Sequence, residues 1–370
     1  MKDKKISIKE ILPIAILLVL IGVIVVILLS RENIIGTQKD DAPPAKSRSF
    51  SGFFNEESVG YELYFDTACM MYDYSGMSEA KFEALGDDVE AKILYYHKLF
   101  NVYNEYNGVV NLATINSRAG EGPIKVSREL YDFLEYAISV YSLTGGEMNI
   151  AMGRVLAIWH EYRENAIVFG LNQVPSADEL AAAYEHCSIE DIVLDPEQMT
   201  VELCDPEMRL DVGAIGKGYA AEMIARMIEE RGIKGVVLDL GGNLRAIGSK
   251  PSGEGWKTGI RNPDTTSSEK YIKKIDIKNT SVVTSGNYER YYMVDGVRYH
   301  HIIDKDTLMP AAYFSSVTVI TKNSGLADGL STALFCMSYE DGMAVIESVR
   351  AGGVSIKVVW VTVDGRVIEE

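Results

Sequence analysis

Two periods of apolar spacing divide most of the chain into elements, and one long apolar run stands apart from both. Ile11 to Ser30 is twenty residues without a charge. At about 1.5 Å per residue a helix of that length crosses the ~30 Å core of a bilayer. Pro13 falls in its first turn, where a helix tolerates it. Arg31 to Ser49 is polar, contains Pro43-Pro44, and reads as a linker. Globular patterning follows to the end. Tyr61 to Met71 partly alternates and predicts a strand. Val89, Ile93, Tyr96 and Phe100 repeat at helical spacing and predict a helix over Asp87 to Tyr106. A second helix is predicted from Ser127 to Leu143, stopped by Gly145-Gly146, and a short one from Asp178 to His186. Gly235 to Leu240, Lys257 to Ile260, Ser281 to Ser285 and Ser316 to Thr321 read as strands. Hairpin-like strand pairs mixed with isolated helices predict an α+β fold rather than a regular βαβ array. The expected organisation is a tail at 1–10, a transmembrane anchor at 11–30, a linker at 31–50 and one domain at 51–370.

The flanking charges orient the anchor. Lys2, Lys4, Lys5 and Lys9 precede it, which predicts a cytoplasmic N-terminus and a single-pass membrane protein with its domain on the extracytoplasmic side. The competing reading is a cleaved signal peptide, but the run is longer than an ordinary h-region and no small-x-small site follows closely. The chain carries Lys+Arg 36 against Asp+Glu 53, a net −17; residues 1–30 are net +2, which leaves −19 on the rest. That balance argues against a nucleic-acid partner. At 47% hydrophobic and 24% charged the chain is not a disordered one. Cys69, Cys187, Cys204 and Cys336 are far apart and form no CxxC, which excludes a disulfide scaffold and argues against a cysteine zinc site.

Candidate chemistry begins at Arg209-Leu-Asp-Val-Gly-Ala-Ile-Gly-Lys-Gly-Tyr-Ala-Ala-Glu222, read as strand, tight loop and a helix running to about Arg231. Gly213, Gly216 and Gly218 let the backbone approach a phosphate at the helix N-terminus, or make a purely structural turn; the residues alone allow both. Asp211 and Gly218 stand where a Walker loop needs Gly and Ser/Thr. Gly216-x-Gly218-x-x-Ala221 imitates a dinucleotide fingerprint, with Asp239 ending the next strand, but no second βαβ unit accompanies it. Asp328 and Thr332 are four apart and share a helix face. Two hard oxygens there suit Mg²⁺; equally, an Asp favoured by the helix dipole and a packed Thr would look the same. His97, His160 and His186 sit singly on helical patterns as surface or core residues, whereas His300-His301 ends a strand just before Asp304, where a His can act as general base. No HExxH or GxSxG motif occurs.

Taken in order, these segments resemble the ApbE family of FAD:protein FMN transferases over about Phe65 to Met337. The markers are Leu210-Asp-Val-Gly-Ala-Ile-Gly-Lys-Gly-Tyr-Ala-Ala221, Leu238-Asp-Leu-Gly-Gly-Asn243, Gly259-Ile-Arg-Asn-Pro263, Thr284-Ser-Gly-Asn-Tyr-Glu-Arg290, His300-His-Ile-Ile-Asp304, Ser316-Val-Thr-Val319 and Ala327-Asp-Gly-Leu-Ser-Thr-Ala333. The resemblance implies a two-lobed α+β domain with antiparallel or mixed sheets, flanking helices and FAD between the lobes. It implies Mg²⁺ held by Asp328, Thr332 and the Ala214 carbonyl, FAD contacted by Lys217, and His301 activating an acceptor Thr. Asn104, Glu105, Tyr106, Asn149, Ser285 and Gly286 fall where the family touches flavin. The implied reaction moves FMN from FAD to a Thr hydroxyl of an acceptor protein, an extracytoplasmic or membrane redox protein, and releases AMP. The alternatives are an FAD pyrophosphatase, a non-catalytic flavin binder, and a Rossmann-type dehydrogenase. The chain departs from the family at Asp304-Lys-Asp-Thr-Leu308, where Asp-Pro-x-Thr-Gly is usual, at Asn149, where Asp is frequent, and at Ala151-Met152-Gly153, where Thr-Val-Gly is frequent.

Overall fold

The computed structural model describes residues 44–55 and 60–370. The apolar run Ile11 to Ser30 lies outside the described residues, and no helix among the described residues is long and apolar enough to cross a membrane. Eight helices occur in the described part: α1 (Glu79–Phe100), α2 (Leu112–Ser117), α3 (Arg128–Leu143), α4 (Gly153–Phe169), α5 (Ala177–Tyr184), α6 (Gly216–Glu230), α7 (Ser324–Phe335) and α8 (Tyr339–Ala351).

An eight-stranded sheet forms the spine. In spatial order its strands are Lys46–Phe50, Cys69–Asp73, Val236–Leu240, Asn243–Ile247, Ser281–Gly286, Phe314–Thr321, Ile356–Thr362 and Val367–Glu369. Every pairing in it is antiparallel. The central strands Val236–Leu240 and Asn243–Ile247 are buried at every position, so both faces are covered. Period-2 alternation assigns their side chains. Val236, Leu238, Leu240 and Ile247 join the main core with α1, α3, α6 and α7, while Val237, Leu244 and Ala246 pack with Trp256 and Ile277 beneath the hairpin Trp256–Arg261/Tyr271–Ile277. A third, smaller cluster joins α4 and α5 to the hairpin Tyr291–Val294/Val297–His300 through Trp159, Leu180, Tyr292 and Ile303. This α+β architecture agrees with the patterning.

Several expectations change in detail. Lys46–Phe50, read as the end of the linker, is the edge strand of the sheet, and Arg48 ties it to α1 through Glu83, Asp87 and Glu90. The run Tyr61 to Met71 is not one strand: Phe65 and Asp66 take positive φ, 52° and 54°, and separate Gly60–Leu63 from Cys69–Asp73. Helix α1 starts eight residues before the predicted Asp87 and stops at Phe100. It stops because Asn101 Oδ1 accepts from the N–H groups of Tyr103 and Asn104, both at 2.8 Å, a side-chain turn that competes with the helix. The segment before the glycine loop makes only an isolated bridge, Met152 to Arg209, instead of a strand. After α6 the chain enters an antiparallel hairpin, Val236–Leu240 with Asn243–Ile247. A dinucleotide-binding sheet is parallel at that point, so the dehydrogenase alternative is overturned.

Candidate active site

The glycine loop feeds α6, and α6 crosses α7 so closely that Gly218 has no room for a side chain. A Cβ there would lie 2.3 Å from the Ser324 carbonyl oxygen and 2.4 Å from Asp328 Cβ. The two helices cap each other. Gly218 N–H donates to Asp328 Oδ2 at 2.7 Å, and Ser324 N–H, at the start of α7, donates to Glu222 Oε2 of α6 at 3.1 Å. Each carboxylate thus takes an N–H that a helix start leaves without an intrahelical partner. Glu222 is held in turn by the fully buried Arg245, Nε at 3.2 Å, whose Nη2 reaches Glu229 at 2.8 Å. Asp328 lies in the second turn of α7, past the first-turn position where the dipole alone would favour it.

A cation site at this crossing fits the residues present. Gly216 and Tyr219 donate to the carbonyls of Val212 and Ile215, four back, but Gly218 gives its N–H to Asp328, so that bond does not close on the Ala214 carbonyl. Asp328 is 4% exposed and burial pushes its carboxyl pKa up, with the Lys217 cation, the Gly218 N–H and the Asn243 amide pulling it back. A buried carboxylate disfavoured in its charged form gains from a nearby cation. Thr332 Oγ1 lies 3.2 Å from Ser285 Oγ, which also reaches Ser331 Oγ at 2.8 Å. The structure therefore joins Ser285 to Thr332, one turn beyond Asp328 on α7. Gly286, next on the strand, is buried against the Tyr288 ring, 2.5 Å from where its Cβ would be. Among the described residues no three His, Cys, Asp or Glu side chains gather as a metal cluster. The implied Mg²⁺ set is of another kind: one carboxylate, one hydroxyl and one carbonyl, with room for substrate oxygens.

The adjacent histidines have opposite environments. His300 Nε2 donates to the Ala311 carbonyl at 3.0 Å, and its Nδ1 accepts from Ile302 N–H at 3.3 Å. Its ring stands edge-on to Phe335, and burial pushes its pKa down to about 4. His301 Nδ1 is buried with no hydrogen-bond partner. Burial, then the cations of Arg290, Lys217 and Arg163, push its pKa down to about 3. The imidazole is thus neutral at physiological pH, with an unused nitrogen in a cationic pocket. Lys217 lies in the first turn of α6, and its charge lowers the pKa of both Asp328 and His301.

The flavin-contact segments are placed unevenly. Asn104 Nδ2 and Tyr106 OH both donate to Glu62, at 3.2 and 2.6 Å, and Tyr106 is 5% exposed, so its side chain supports the loop from beneath. Glu105 is exposed and accepts from Ser117 Oγ at 2.8 Å. Asn149 spends its amide internally, on Ala151 N–H at 2.8 Å and the Cys187 carbonyl at 3.1 Å. Its segment runs beside the glycine loop, where Asp211 N–H donates to Ile150 O. The ring this loop presents outward belongs to Tyr103, 61% exposed, with its centroid 5.3 Å from that of His160. Arg163 Nη2 donates to His160 Nδ1 at 2.8 Å. Tyr103 begins the segment through Tyr106 that falls where the family touches flavin, whereas His160, Arg163, Arg290 and Asp211 were not singled out from sequence as site residues. Only their convergence from separate elements marks them, and no spacing along the chain carries that. The divergent loop after His301 still closes: Leu308 takes φ 57°, the left-handed region natural to the family's Gly, and Lys305 pairs with Glu147 at 3.1 Å.

An antiparallel sheet flanked by two mutually capped helices, with a buried Asp at their crossing, is not the parallel sheet of a redox dehydrogenase. The chain belongs to the ApbE family, whose profile it matches over residues 66–356, and is a transferase. It is 33% identical over 299 residues to the FAD:protein FMN transferase of Treponema pallidum (strain Nichols), covering 77% of this chain and 80% of that one. Among solved structures it is similar to the ApbE protein of Thermotoga maritima, with TM-score 0.72 and 25% identity over 88% of this chain and 97% of that one. The flavin transferase ApbE of Vibrio cholerae superposes with TM-score 0.68 at 26% identity, over 88% and 97% of the two chains.

Proposed function

We propose that this chain is a Mg²⁺-dependent FAD:protein FMN transferase that moves FMN from FAD to a Thr hydroxyl of an acceptor protein and releases AMP. The observation that carries the reading is the buried Asp328 carboxylate at the α6–α7 crossing, bonded to the N–H of Gly218, the residue after Lys217. Asp328, Thr332 and the Ala214 carbonyl would hold the metal, which when bound supplies positive charge against the pyrophosphate oxygens. Lys217 adds a second positive charge beside them. His301, neutral and with Nδ1 unused, takes the proton from the acceptor hydroxyl. The Thr oxygen then bonds to the FMN phosphorus, the P–O bond to AMP breaks, and AMP leaves carrying that bridging oxygen. Burial, and then the cations round His301, make it a weak base in the free enzyme; an incoming pyrophosphate opposes the cations and strengthens it.

The same reading places the domain outside the cytoplasm, tethered by Ile11 to Ser30, where the acceptor is an extracytoplasmic or membrane redox protein. Incubation with FAD, a Mg²⁺ titration and a Thr-containing acceptor peptide tests the chemistry. AMP should form in step with peptide-bound FMN, and Asp328→Ala should abolish the Mg²⁺ response while remaining folded. AMP with only free FMN would make the protein a pyrophosphatase, and no AMP at all would leave it a flavin binder.

A further inference from the structure

Beneath the exposed Tyr103 loop lies a partly buried polar cluster whose centre, Glu62, belongs to none of the family markers. Glu62 sits on the strand Gly60–Leu63, His97 on α1, and Asn104 and Tyr106 in the loop that follows α1. The polarity of the cluster runs one way. Glu62 Oε1 accepts from Asn55 Nδ2 at 2.6 Å and Asn104 Nδ2 at 3.2 Å. Glu62 Oε2 accepts from Tyr106 OH at 2.6 Å, with His97 Nε2 at 3.3 Å. The His97 tautomer is set from its other side: Nδ1 accepts from Phe65 N–H at 3.1 Å, so the proton is on Nε2 and points at the carboxylate.

Two strings run outward from this carboxylate. One passes through His97 to Phe65 and Asp66, whose φ of 52° and 54° are conformations an L-residue holds only when its surroundings impose them. The other passes through Tyr106 OH, which also accepts from Asn101 Nδ2 at 2.9 Å, and then through Asn101 Oδ1, which holds the N–H groups of Tyr103 and Asn104. The outer end of that string is the Tyr103 ring against His160, whose Nδ1 accepts from Arg163 Nη2.

We propose that Glu62, with His97 behind it, is a positioning residue for flavin: it fixes the Asn101–Tyr106 loop and the Phe65–Asp66 turn in the shape that receives FAD. This rests on the FAD-binding reading of the site. Glu62 does not touch the ligand; it acts through the groups it holds. A carboxylate suits the place because its described partners all donate, and an amide would turn its own donors against two of them.

The test is FAD binding by Glu62→Gln, read by flavin fluorescence, beside steady-state kinetics in FAD. Kd and KM for FAD should rise about tenfold, with kcat at saturating FAD within about threefold, because the reacting groups are untouched. Tyr106→Phe should also raise Kd, and the double variant should be clearly less than additive, since both changes cut one string. A folded Glu62→Gln protein with Kd within about twofold of wild type overturns the role, as does full additivity or a fall in kcat with KM unchanged. If Glu62→Gln does not fold, His97→Gln, which leaves the carboxylate in place, carries the same measurement. A wild-type chain that binds no FAD overturns the proposed function itself, and this role with it.

Discussion

His300 and His301 are neighbours in sequence, and the strand end sends them to opposite sides. His300 has both ring nitrogens bonded and its ring against Phe335; His301 keeps Nδ1 free of partners. We predict that His301→Ala loses about 10²–10⁴ in transfer rate with FAD affinity and thermal stability near wild type. His300→Ala should do the reverse, costing about 2–4 kcal/mol of stability through two lost bonds and a cavity, with transfer per folded molecule retained. Denaturation curves and transfer assays on both variants check this; a dead but stable His300→Ala, or a fully active His301→Ala, would reverse the assignment. The pair was legible as a candidate because His-His-x-x-Asp at a strand end is unusual. Which of the two is unpartnered was not, since Ala311 and Phe335 reach His300 from elements distant in sequence.

At the scale of elements, the crossing of α6 and α7 sets the site. Gly218→Ala should destabilise the protein by about 1–3 kcal/mol, because its Cβ meets the backbone carbonyl of Ser324 rather than a flexible side-chain end. A melting point equal to wild type would show that the helices can part without cost. The glycine's presence was plain in the sequence, but its reason was not: a helix start beside a phosphate and a helix start beside another helix both ask for Gly. The turn of the neighbouring hairpin gives a pH prediction. Asp239 accepts from Gly242 N–H at 2.7 Å, and burial pushes its carboxyl up to about 6. Between the unfolded value near 4 and that value the native state binds the extra proton, so this group's contribution to stability falls as pH rises from about 4 to about 6. Asp239→Asn should flatten that part of the wild-type stability curve in urea titrations at stepped pH. An unchanged difference between pH 4 and 6 would show that the group titrates normally.

Across the whole molecule, the antiparallel sheet and its helical cover were largely legible, because Val236–Leu240, Ser281–Gly286 and Phe314–Thr321 are rich in Val, Ile, Leu and Thr and bounded by turn residues. The edge strand Lys46–Phe50 was hidden in a polar stretch, since an edge pinned by Arg48 to acidic side chains of α1 needs few apolar positions. The part after the apolar run, net −19, is proposed to lie outside the cytoplasm. Protease added to intact cells should therefore digest it; full protection would contradict that location. The central claim is covalent transfer of FMN, and intact-mass spectrometry of a Thr acceptor after incubation with the full chain, FAD and Mg²⁺ tests it most directly. The acceptor should gain one FMN phosphoester on the Thr hydroxyl, abolished by Asp328→Ala and lost again when the acceptor Thr becomes Ala. An acceptor of unchanged mass while FAD is consumed would contradict it.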